Sequence, residues 1–115
     1  MTTLAEIREE WHGEVPVARL EGEVDAANVG DVGARLRGLM TNKSMRLVID
    51  LSDTTYLDSA GINLLYTLGH ELRARQQTLR LVVVERSPIA RMLAITSLDR
   101  AFPTHPSLEE ALAAE

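Results

Sequence analysis

The chain has 115 residues, a formal net charge of -5, 45% hydrophobic residues and 25% charged residues. That length supports one hydrophobic core and no second one, and the composition excludes a disordered, collagen-like or membrane-embedded chain. The acidic balance and an aromatic content of 3% argue against a nucleic-acid partner, which is met by clustered Lys and Arg or by stacking rings; the absence of cysteine removes disulfide and thiolate chemistry.

The start, MTTLAEIREE, has neither the basic end nor the apolar stretch of a signal peptide, and no run approaches the roughly 20 apolar residues of a spanning helix. A cytosolic protein with no membrane attachment is expected. Glu6 to Trp11 reads as a first strand and Val15 to Leu20 as a second, joined through His12, Gly13 and Glu14 as an antiparallel hairpin. Pro16 lacks an amide hydrogen and suits an edge or strand-start position. Asn28 is placed to cap a helix in which Val29, Val32, Leu36, Leu39 and Met40 recur at helical spacing, with Asp31 in its first turn. Gly30 and Gly33 each weaken that helix by ~1 kcal/mol relative to alanine.

Met45 to Leu51, interrupted by Arg46, reads as a central strand covered on both faces. A long helix is predicted from Ser59 to Gln76, with Ile62, Leu65, Leu68, Gly69 and Leu72 as its buried stripe. Leu79 to Val84 is the next apolar strand, and Ser87-Pro88 is a helix start leading into Ile89, Met92 and Leu93. A short strand is expected near Ala101 and Phe102. Ser107 and Glu110 then have capping-box spacing before a last helix through Ala111 and Leu112. Strands separated by helices imply crossovers, so the fold class is α/β: one domain, a mixed sheet of about four to five strands (an N-terminal hairpin plus parallel strands) and about four helices.

The segment Tyr56-Leu57-Asp58-Ser59-Ala60-Gly61 joins a buried strand to the long helix. In open α/β sheets, binding crevices lie beyond the carboxyl ends of the strands, where helix N-termini present free amides. Ser59 is therefore an accessible hydroxyl, and the small Ala60 and Gly61 leave room for another protein to approach it. Taken alone, Asp58 or Ser59 is also an ordinary helix cap, and Asp25 an ordinary loop acid. A second motif, Gly22-Glu23-Val24-Asp25, follows the second strand. Together the two segments resemble the STAS family of anti-sigma factor antagonists, whose patterns are Gly-Glu-Leu-Asp and Asp-Ser-Ser-Gly. The resemblance runs from about Val15 to Phe102, with Val24 in place of leucine and Ala60 in place of the second serine.

That resemblance implies a STAS-like domain that is a protein-binding switch, is not an enzyme and carries no cofactor. It implies that a cognate anti-sigma factor, a serine kinase with a histidine-kinase-like ATPase fold, phosphorylates Ser59. The unphosphorylated form would bind that kinase and free a sigma factor, and a PP2C-type phosphatase would restore it. The partner-facing residues it implies are Asp25, Asp58, Ser59, Ala60, Gly61 and Asn63, and Asp25, Asp53 and Asp58 are expected to gather around the serine. A stressosome component or the cytosolic subunit of a lipid transporter is the alternative assignment.

Other chemistry finds little support in the residues. Gly30, Gly33 and Gly38 fit neither a dinucleotide fingerprint nor a phosphate loop. His70-Glu71 lacks a second histidine, because Ala74 stands where a zinc-binding helix needs it. No Gly-x-Ser-x-Gly elbow surrounds Ser59. Trp11 and Tyr56 read as packing or loop residues.

Overall fold

The computed structural model describes residues 5–114. Strands β1 (Glu6–His12) and β2 (Val15–Val24) form the hairpin. Its two-residue loop is possible because Gly13 adopts a φ of 64°, which an L side chain resists. Helix α1 (Val29–Leu39) returns the chain to β3 (Arg46–Asp50), and α2 (Ser59–Ala74) leads to β5 (Thr78–Val82). Between β3 and α2 lies a short strand, β4 (Thr54–Leu57). The remainder is α3 (Pro88–Ile95), α4 (Leu98–Ala101), β6 (Thr104–His105) and α5 (Leu108–Ala113).

Among the described residues the sheet has six strands in the order β1-β2-β3-β5-β6, with β4 pairing β2 off that path. β3 is the middle strand, as its apolar run predicts. Pro16 sits one residue into β2, opposite Trp11 and before the pairing with β3 begins at Val17, so its missing amide removes no rung of that parallel ladder. β2 then changes partner. Its first half pairs with β3 through Val17, Ala18 and Arg19, its second half with β4 through Gly22, Glu23 and Val24, with a register shift between Gly22 and Glu23. Gly22, at a φ of 96°, supplies the backbone bend that the change of partner needs.

Three expectations are corrected here. The sheet gains β4, a strand not expected between Leu51 and the long helix, and of its residues only Thr54 and Leu57 are buried. Ala101 and Phe102 do not form a strand: α4 ends at Ala101, and the pairing with β5 is made by Thr104 and His105. Asn28 precedes α1 but makes no side-chain cap bond to it. Five helices are present among the described residues.

The main core lies between one sheet face and helices α1 to α4, with Leu20, Leu36, Leu47, Ile49, Leu65, Leu81 and Leu93 fully buried. Each such side chain contributes about 1.5–3 kcal/mol by leaving water. A smaller cluster, Val17, Val48, Val82 and Ala111, fills the other face beneath α5. The start of α3 is fixed by Ser87, whose hydroxyl oxygen accepts from the Ala90 amide at 3.1 Å, and that of α5 by Ser107, which accepts from Glu110 at 3.2 Å. Both caps are as the sequence predicts. Among the described residues no helix is long and apolar enough to cross a membrane.

Candidate functional site

The two motifs meet at the carboxyl ends of β2 and β4. Asp58 caps α2 with its Oδ1, which accepts from the Gly61 amide at 3.0 Å. Its other oxygen, Oδ2, accepts from the Ala26 amide at 3.1 Å, so one carboxylate ties the start of α2 to the loop that follows β2. The Asp58 amide in turn donates to the Val24 carbonyl at 3.2 Å. Asp25 closes its own loop: its Oδ1 accepts from the amides of Ala27 at 2.9 Å and Asn28 at 3.3 Å. The buried Asn28 side chain accepts from the Asp25 amide at 3.0 Å and donates to the Glu23 carbonyl at 2.9 Å. It is a loop clamp instead of a helix cap, because the backbone it satisfies lies behind it and not ahead.

Ser59 is the first residue of α2 and is exposed. Ala60 is half-buried and Asn63, one turn on, is exposed; Asp58, Ser59, Ala60 and Asn63 line a groove of about 730 Å³. Gly61 is placed differently from the expectation. It is buried, and a Cβ there would stand 3.0 Å from the Val24 carbonyl and 3.3 Å from Leu57, so its smallness serves the close approach of α2 to β2 and gives no access to Ser59. Asp53 also departs from the expected cluster. It precedes β4 while Asp58 follows it, which puts ~15 Å of extended strand between them at ~3.3 Å per residue.

The groove continues onto residues outside the predicted partner-facing set. Tyr56, exposed on β4, and Ile62 and Tyr66, half-buried on α2, line it together with Met92 and Thr96 of the α3 region. The Tyr66 hydroxyl donates to the Thr96 carbonyl at 2.6 Å, fixing α2 against the end of α3. The spacing of Ser59, Ile62, Asn63 and Tyr66 marks one face of α2 in the sequence, whereas nothing local brings α3 beside it. No hydrogen bond joins the Ser59 hydroxyl to a base among the described residues, and no group of three potential ligands there could hold a metal ion.

The sequence profile of the STAS domain matches residues 6–111. The chain is similar to a protein of Bordetella bronchiseptica that bears the name of anti-sigma factor antagonist BtrV, 32% identical over 99 residues, which are 85% of this chain and 84% of that one. It is also similar to Osmosensory protein A of Mycobacterium tuberculosis strain H37Rv, 39% identical over 72 residues, 61% of this chain and only 44% of that relative. The crystal structure of an anti-sigma factor antagonist from Mycobacterium paratuberculosis superimposes with a TM-score of 0.83 at 27% identity, covering 94% of this chain and 91% of that one. With the fold, both motifs and a family match over nearly the whole length in agreement, the chain belongs to the STAS domain family.

Proposed function

We propose that the protein is an anti-sigma factor antagonist whose binding is controlled at Ser59. The unphosphorylated form binds a cognate anti-sigma factor that is also a serine kinase, and thereby frees a sigma factor; phosphate on Ser59 switches binding off, and a PP2C-type phosphatase reverses it. The protein works in the cytosol, is not an enzyme and needs no cofactor. The observation that carries this reading is the exposed Ser59 hydroxyl at the first residue of α2, beside a carboxylate with both oxygens committed to backbone amides. A serine without a general base is a poor nucleophile. It is a suitable acceptor for an enzyme that brings its own base, and the groove running from Ser59 to Met92 offers that enzyme a mixed polar and apolar surface. Asp25, Asp58, Ala60 and Asn63 frame the contact, and Gly61 acts from beneath it.

The test is a pull-down from native cytosol with unphosphorylated protein, identification of the bound chain, and incubation of the pair with ATP. A bound serine kinase that places one phosphate on Ser59 and none on Ser59→Ala is expected; stoichiometric phosphate on Ser59→Ala overturns the assignment. A second reading, a STAS module serving a larger sensory assembly, draws on the partial match to Osmosensory protein A. It is favoured if the captured chain is a sensory protein without kinase activity.

A further inference from the structure

The face of the sheet beneath α5 carries a separate feature, at the opposite end of the parallel strands from Ser59. Arg46 opens β3 and Thr78 opens β5, and the two are partners in register; Arg80 follows on the same face, opposite Val48. With Lys43, Met45 and Glu14 they line a cavity of about 400 Å³. On a chain of net charge -5, this cavity sets three cations against one carboxylate among the described residues.

Arg80 is only 8% exposed, and its Nε has no hydrogen-bond partner among the described residues. One terminal nitrogen lies 3.5 Å from His105 Nε2, whose imidazole is held below its usual pKa by burial and then by the Arg80 charge. Arg46 donates to the Ala114 carbonyl. Among the described residues neither arginine pairs with a carboxylate. Burial and the neighbouring Arg46 charge push the Arg80 guanidinium below its ordinary value. A buried cation is normally paired, since the protein interior does not replace the hydration that it loses. Arg80 and Arg46 instead line the same open cavity.

We propose that this cavity binds a small oxyanion of the phosphate class, held by Arg46 and Arg80 with help from Lys43 and the Thr78 hydroxyl. Guanidinium groups match the geometry of phosphate oxygens, and charge-assisted hydrogen bonds are about twice as strong as neutral ones. The cavity has room for more than the anion, so the phosphate is either free or carried on a small organic group. This site is independent of the switch at Ser59.

The experiment titrates the full chain with inorganic phosphate, and separately with a nucleoside monophosphate, against sodium chloride at matched ionic strength. Amide NMR shifts and the melting temperature are followed. Saturable shifts at residues 43–46 and 78–80, a raised melting temperature and an unmoved Ser59 segment are expected. Arg46→Gln and Lys43→Gln should each weaken binding by about tenfold or more, while Ser59→Ala should leave it unchanged. Arg80→Met should abolish binding; if it does not fold, the two surface variants decide. Equal affinity for both ligands identifies the bare anion, and tighter binding of the monophosphate identifies a carried one. Absence of saturable shifts at millimolar concentrations, or full binding by Arg46→Gln, overturns the proposal.

Discussion

Asp58 and Ser59 are adjacent, yet they do different work, and substitution should separate them. Asp58 accepts from two amides in two elements, Gly61 in α2 and Ala26 in the loop after β2. Loss of an N-cap costs about 1 kcal/mol, and the Ala26 bond, being exposed, adds a further ~0.5 kcal/mol because water replaces it. Asp58→Ala should therefore lower stability by about 1–2 kcal/mol. Asp58→Asn keeps one oxygen for the cap but offers a donor or nothing to Ala26, so its loss should be smaller. Ser59→Ala, at an exposed position with no side-chain bond to other described residues, should stay within about 0.5 kcal/mol of the parent. Urea midpoints of the three variants test this ordering. An Asp58→Ala protein as stable as the parent would show that the bridge between the two motifs is ornamental.

Helix α2 is the element that holds both the site and the core, and its glycines show how. A Cβ on Gly69 would fall 2.2 Å from two atoms of the buried Phe102 ring, which also stacks edge-on against Tyr66 and His70 and lies under Arg73. Gly69→Ala should cost about 1–3 kcal/mol or more through overpacking. Gly30 of α1 has open space around its Cβ direction, so Gly30→Ala should stabilise by about 0.5–1 kcal/mol. Thermal melts of the two variants should move in opposite directions, and a stabilised Gly69→Ala would contradict the described packing. The same elements mark what was legible in the sequence. The caps at Ser87 and Ser107, the stripe of α2 and the accessible serine are local signals, written within one turn of chain. β4 was not legible, because Thr54 to Leu57 become a strand only by pairing with Gly22 to Val24 far upstream. Nor was the role of Phe102, whose neighbours give a strand-like stretch while its ring fills the notch at Gly69. Arg46 and Arg80 each interrupt an otherwise apolar strand, and those interruptions are the sequence signs of the basic cavity. Asp25 and Asp58 each stand out in the sequence through their motifs, but their coupling through the loop at Ala26 exists only in the folded chain.

At the scale of the whole molecule, the proposed switch must change binding and leave the fold intact, and the position of Ser59 meets both demands. A phosphoserine adds about -1.5 to -2 charge at neutral pH to a chain already at -5, so its cost depends on where the charge falls. It falls at the first residue of the 16-residue helix α2, where free amides and the helix dipole favour an anion by about 0.3–1 kcal/mol. Repulsion from Asp58 opposes this, but that carboxylate is held by two amides, and the exposed site is screened by solvent. The two terms are of similar size, so phosphorylated and unphosphorylated forms should melt within a few degrees of one another. A partner that closes over Ser59 meets a different balance. It was matched to a neutral hydroxyl, and a phosphate brought into that contact without paired donors leaves strongly hydrated oxygens partly dried. An imperfectly paired group of this kind costs a few kcal/mol, and each ~1.4 kcal/mol is tenfold in affinity. Binding to the kinase should therefore fall about a hundredfold or more. Ser59→Asp should reproduce part of that loss, since its carboxylate is smaller and less charged, and Ser59→Ala should bind as the parent does. Circular dichroism and melting of both forms, run beside kinase affinity by calorimetry, decide the matter: equal affinity removes the switch, and early melting of the phosphorylated form replaces it with simple unfolding.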